Sequence, residues 1–200
     1  FFLSAIKMRY VFLALVAILI FVPTAYIVGV NTGIIKNYQR ERIEAILDPE
    51  NADPRGYGYH TVQSMITVGK GQLTGIRGDS ETSQSVLKFL PEPQTDFIFA
   101  VTAENTGFVG CISLLLAYAL LLSRLIIGAR DSPDKVGMLV IMAIVGGMTF
   151  QMFMNIGMVL GFLPVIGVPL PLMSAGLSAV LSTFIAIGFV ISVKMRRFVN

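Results

Sequence analysis

The sequence predicts an all-α integral membrane protein with about four transmembrane helices and a long, partly helical extracellular loop. Three observations predict it. Of the 200 residues, 54% are hydrophobic and 14% charged, whereas about a quarter of a soluble domain is charged. Mean hydropathy is +0.76. The apolar residues also gather in runs that exceed the ~20 residues needed to cross a hydrocarbon layer, and basic residues cluster at the ends of those runs.

Each element follows in order. Residues 1–30 read as the first span, with Lys7 and Arg9 before its apolar stretch and Pro23 as a kink that a helix bundle tolerates. The opening FFLSAIKMRY lacks the n-region of a signal peptide and reads as part of a longer membrane protein. Residues 31–96 form the extracellular loop, and 97–123 the second span. A cytoplasmic loop follows at 124–135, the third span at 136–160, and an outer Pro-rich turn at 161–171. The fourth span is 172–193 and the cytoplasmic tail 194–200. The short flanks set this orientation, because Arg124, Arg130, Lys135, Lys194, Arg196 and Arg197 then join Lys7 and Arg9 on the inner side.

The composition also excludes function classes. Cys111 is the only cysteine, so there is no intrachain disulfide. His60 is the only histidine and no CxxC occurs, which argues against a zinc site. Basic and aromatic residues do not interleave in the manner of a nucleic-acid surface, so no nucleic-acid partner is expected.

The loop has structure of its own. Residues 34–47 have the periodicity of an amphipathic helix that could lie in the membrane interface, stopped by Asp48-Pro49. A short helix over Ser85 to Leu90 ends at Pro91. Gly69, Gly71, Gly75 and Gly78 suggest a flexible stretch between them.

Few residues can carry chemistry. Asp96 stands at the outer mouth of the second span, where a carboxylate could act as a general base on a hydroxyl or simply cap the helix. Glu104 lies deeper in the same span, spaced to share a face with Asp96. It is either a functional acid in a cavity or a structural partner for another span. Gln151 and Asn155, one turn apart, either glue helices together or line a groove. Arg40, Arg42, Lys70 and Arg77 could bind phosphate or contact lipid head groups and solvent. The segment GFLPVIGVPLP at 161–171 reads as a re-entrant turn or a rigid outer connection.

Several separated motifs in this order resemble the SEDS family (shape, elongation, division and sporulation; RodA, FtsW and SpoVE). They are Tyr38-Gln39-Arg40-Glu41-Arg42-Ile43, Leu47-Asp48-Pro49-Glu50, Gly56-Tyr57-Gly58-Tyr59 and Gln63-Ser64. Next come Gln84-Ser85, Phe89-Leu90-Pro91-Glu92 and Thr95-Asp96-Phe97-Ile98-Phe99-Ala100. Asn155-Ile156-Gly157-Met158, Pro164, Gly167, Pro169-Leu170-Pro171 and Ser174 complete the set. The wording is most similar to the RodA elongation branch. The resemblance implies the C-terminal portion of a ten-span fold, in the bacterial plasma (inner) membrane with the active site facing outward. It implies a peptidoglycan glycosyltransferase that polymerises lipid II during elongation, beside a class B penicillin-binding protein. Asp96 would be the catalytic residue. Arg40, Arg42, Lys70, Arg77, Gln63, Ser64, Gln84, Ser85 and Glu104 would be substrate-binding. No cofactor is fixed, with a divalent cation (Mg or Mn) left open. A lipid II flippase, or a non-catalytic scaffold for the penicillin-binding protein, is the alternative.

Overall fold

The computed structural model describes residues 57–76, 93–132 and 134–195, with positions 16, 17, 20, 21, 24–26, 28–30, 32 and 36 of the first span and its exit. The interfacial helix at 34–47, the short helix at 85–90 and Pro23 lie outside the described residues. The described positions from 16 to 30 are helical. Four complete helices follow: α1 (Tyr57–Lys70), α2 (Ile98–Arg130), α3 (Lys135–Val159) and α4 (Leu177–Met195). The last three are long and apolar enough to cross a membrane.

Helix α2 runs on to Arg130, past the boundary at 123 set by hydropathy, so the turn joining it to α3 is only 131–134. Arg124 does not stop it because arginine is a good helix former and the following LIIGAR continues the apolar run. Asp134 then caps α3 by accepting a hydrogen bond from the Gly137 N–H. Helix α4 begins at Leu177, not 172, because the preceding residues are committed elsewhere. Leu172 has a left-handed backbone (φ +63°), and the Ala175 N–H donates to Gln94 O at 2.9 Å. The chain from Leu160 to Gly176 is therefore a non-helical strap across one end of the bundle.

Helix α2 is broken at Gly107, whose φ of 66° and ψ of −166° lie in a region that only glycine occupies readily. The break leaves backbone groups unpaired within the helix, and the loop after α1 supplies their partners. Phe108 N–H donates to Gln72 O at 2.8 Å and Val109 N–H to Leu73 O at 3.1 Å, while Glu104 O accepts from Ile76 N–H at 3.0 Å. This exchange requires backbone to meet backbone. A Cβ on Gly71 would collide with Ala103 O, and one on Gly75 with Asn105 O. The glycines read as a flexible stretch are thus, at positions 71 and 75, packing surfaces that let the loop enter the broken helix.

The polar side of α1 (Thr61, Ser64 and Thr67) is buried at a spacing of three residues, which places it on one face. Ser64 Oγ lies 2.8 Å from Thr61 O and 2.9 Å from Val159 O, tying α1 to the end of α3. Gly161, just past α3, lets Met65 of α1 approach: an added Cβ there would lie 2.9 Å from its sulfur. One apolar core at this end gathers Phe97, Phe99, Ala100, Ala103, Cys111, Tyr118, Met158, Val159 and Leu170. A second, at the other end, joins α2, α3 and α4 through Leu125, Ala129, Ile141, Val145, Met148 and Val190.

Candidate active site

Asp96 lies in the turn 93–97 that leads into α2. Three successive carbonyls of this turn are held from across the fold. Gln94 O accepts from the Ala175 N–H at 2.9 Å. Thr95 O accepts from Ser174 Oγ at 2.7 Å. Asp96 O accepts from Asn155 Nδ2 at 2.8 Å. The backbone beneath the carboxylate is thereby fixed by α3 and by the strap together.

The strap is shaped by the same side chains. Asn155 Nδ2 also donates to Val168 O at 2.7 Å, and Ser174 Oγ accepts from the Leu170 N–H at 2.7 Å. Tyr118 of α2 donates its hydroxyl to Pro171 O. Gly167, with φ of +76°, faces Asp96: a Cβ there would lie 3.0 Å from Asp96 Oδ2. The carboxylate thus sits beside the bare backbone of Gly167. The residue before α2 is Phe97, which makes no side-chain capping bond.

The other sequence-predicted residues are dispersed. Glu104 is wholly buried (0% exposed) in the part of α2 that receives the loop 71–76. Gln63 and Ser64 lie on α1, where Gln63 is half-buried and Ser64, at 0% exposed, is engaged in helix packing. Lys70 is the last residue of α1, half-buried. Of its glycine neighbours, Gly71 packs against Ala103 of α2, while a Cβ on Gly69 would meet nothing within 4 Å. Arg40, Arg42, Arg77, Gln84 and Ser85 lie outside the described residues. Gln151 lines a cavity of about 330 Å³ with Pro169, Pro171, Ser178, Ala179, Ser182 and Thr183, while Asn155 is the residue that reaches Asp96. Among the described residues no group of three or more His, Cys, Asp or Glu side chains could hold a metal ion.

The sequence left Asn155 as a helix glue or a groove-lining residue within a family motif, and offered Gly167 and Ser174 only as parts of the resemblance. Their joint action on the 94–96 turn went unseen, since it links positions 59 to 79 residues apart. The available signal was the pairing of an amide inside an apolar helix with a Gly- and Pro-rich strap after it.

The comparisons with known proteins agree with this architecture. The cell cycle protein family of FtsW, RodA and SpoVE matches residues 1–198. The chain is 41% identical over 196 residues to peptidoglycan glycosyltransferase MrdB of Escherichia coli strain K12, covering 98% of this chain and 51% of the relative. It is 40% identical over 157 residues to stage V sporulation protein E of Bacillus subtilis strain 168, covering 78% of this chain and 42% of the relative. The chain thus spans about half the length of the curated relatives it matches. A chain of a solved peptidoglycan synthase complex, described as coordinating polymerization and crosslinking, superposes with a TM-score of 0.72 at 33% identity. That match covers 96% of this chain and 50% of the other.

Proposed function

Since the chain belongs to the FtsW, RodA and SpoVE family of cell cycle proteins, a membrane family of the SEDS type, we propose that the whole protein is a peptidoglycan glycosyltransferase that polymerises lipid II, with Asp96 as its general base. The observation that carries this reading is the fixed turn 94–96. A carboxylate at the mouth of a membrane span is held through three consecutive backbone carbonyls, beside a glycine that leaves its oxygens room. Such preorganisation is what a base needs, because proton transfer requires hydrogen-bond reach in a defined geometry.

In the reaction, Asp96 accepts the proton of the acceptor sugar's 4-hydroxyl as that oxygen attacks the donor's anomeric carbon. The new C–O bond forms as the bond to the lipid diphosphate breaks. The diphosphate departs with the electron pair, and the proton stays on Asp96 until it is lost to water. A diphosphate leaves as a stable anion and needs no general acid. The basic residues Arg40, Arg42, Lys70 and Arg77 are the proposed phosphate ligands, through charge-assisted hydrogen bonds.

We place the protein in the bacterial inner membrane with Asp96 outward, working in elongation beside a class B penicillin-binding protein. The similarity to a chain of a peptidoglycan synthase complex supports such a partner. The RodA-like wording around Asp48-Pro49-Glu50 and Thr95-Asp96-Phe97 supports elongation. A flippase is less well supported, because Glu104 and Asn155, two of the polar residues it would use, are 0% exposed.

Purified lipid II, the full-length protein and its partner supply the test. Asp96→Asn is expected to lower polymerisation by about 10² to 10⁴-fold, the usual contribution of general base catalysis, with folding and partner binding kept. Polymer at the wild-type rate from this variant removes Asp96 from the mechanism. A wild-type protein that binds lipid II and partner yet makes no polymer points to transport or scaffolding.

A further inference from the structure

Asn155 is an unusual residue energetically. It is 0% exposed, and both hydrogens of its amide are used, one on Asp96 O at 2.8 Å and one on Val168 O at 2.7 Å. Those two bonds forbid the flipped orientation, since an amide oxygen in place of Nδ2 would face two carbonyl oxygens. The fixed orientation leaves Oδ1 buried with no hydrogen-bond partner among the described residues. A half-satisfied buried amide is a poor choice for stability alone. What it does achieve is to lock the two backbone segments on either side of the carboxylate, the turn bearing Asp96 and the strap bearing Gly167, to one rigid point on α3.

We infer that Asn155 is a positioning residue for the Asp96 base: it sets the separation between the Asp96 carboxylate and the strap, and so the place where the acceptor hydroxyl is deprotonated. The inference rests on the reading of Asp96 as general base. It assigns to Asn155 an effect on the chemical step and not on substrate binding, since the amide is enclosed and both its hydrogen bonds go to backbone carbonyls.

The test uses the full-length protein with its partner and measures kcat, KM, lipid II affinity and thermal stability. Asn155→Ala removes both donors. Asn155→Asp keeps the shape but presents carboxylate oxygens to the two carbonyls. Both are expected to lose about 10²-fold in kcat, the cost of misplacing a reacting group by about 1 Å, while KM and lipid II affinity stay at wild-type values. A double-mutant cycle separates positioning from general weakening. Asp96→Glu displaces the carboxylate already, so adding Asn155→Ala to it should cost much less than in the wild type. Wild-type kcat in Asn155→Ala, with Asp96→Asn inactive, overturns the positioning role and leaves the base. Losses that multiply in the cycle, a loss confined to KM, or failure of both Asn155 variants to fold make Asn155 structural and overturn it as well. Normal polymerisation by Asp96→Asn overturns both readings together.

Discussion

At the scale of single residues, the candidate site depends on what is missing from Gly167 as much as on what Asp96 carries. A methyl group at 167 would lie 3.0 Å from Asp96 Oδ2, on a backbone with φ of +76°. Gly167→Ala is therefore expected to destabilise the protein by about 1–2 kcal/mol, the cost of a left-handed non-glycine residue, and to lower lipid II polymerisation by displacing the carboxylate. Thermal unfolding and polymerisation assays check the two effects separately. Ser174→Ala acts from the other side of the turn, removing the hydroxyl that Thr95 O and Leu170 N–H share; thermal unfolding should show a loss of about 1–3 kcal/mol, the cost of the buried Leu170 N–H left without its acceptor. His60 supplies a pH dependence. Burial pushes its imidazole below the ordinary value of 6.5. The unfolded chain then binds a proton that the folded protein refuses, so stability is full above that value and falls as pH drops below it. A His60→Gln variant should flatten the acid side of a melting-temperature profile taken through this range. Asp96 drew notice in the sequence through the Thr95-Asp96-Phe97 motif and the family resemblance it carries, since its place at the mouth of an apolar run equally suits a helix cap. Asn155 was only half legible: its burial followed from its place in the third span, but its partners are backbone atoms in two distant segments, and no local pattern encodes them.

At the scale of elements, the helices were legible and their interruptions were not. Long apolar runs announced α2, α3 and α4, with ends displaced where a good helix former continued the run at Arg124, or where side-chain and backbone bonding stopped it before Leu177. The break at Gly107 had no such signal, since glycine is common in membrane spans and hydropathy does not register φ. The evidence for it lay in the partner segment, whose Gly71 and Gly75 read as looseness and turned out to be the surfaces that fit the break. Gly107→Ala should then cost about 1–3 kcal/mol from backbone strain alone. It should cost more if the added methyl, which would collide with Gly75 N, expels the loop that satisfies Phe108 and Val109. Gly146→Ala is the matched control in α3, where a Cβ meets nothing within 4 Å and the change should be neutral or slightly stabilising. A melting experiment in which both substitutions behave alike would show that the loop does not hold the broken helix.

At the scale of the whole molecule, the spans show how much of their surface awaits other contacts. Only 6% of the apolar window of α4 is buried among the described residues. Phe184, Ile185 and Phe189 on it, like Phe150 and Phe153 on α3, are exposed, as suits surfaces that face lipid or further spans. Alternation of the spans puts the α2–α3 turn on one side and the strap on the other. The turn is flanked by Arg130 and Lys135, and the last turn of α4 and the sequence after it add Lys194, Arg196 and Arg197. The strap is the opposite case: residues 160–176 contain no charged side chain. The positive-inside rule supports the proposed orientation, with the turn in the cytoplasm and the strap, with Asp96, outside. Two single cysteines, each in the whole protein with Cys111 and every other native cysteine replaced by alanine, check this in intact cells: Ile166→Cys on the exposed part of the strap, and Ser132→Cys in the turn. A membrane-impermeant maleimide should modify the first and reach the second only after the membrane is opened. The reverse pattern would put Asp96 on the cytoplasmic face. A base working there could not meet a substrate presented on the outer leaflet, so the orientation and the proposed chemistry stand or fall on the same labelling experiment.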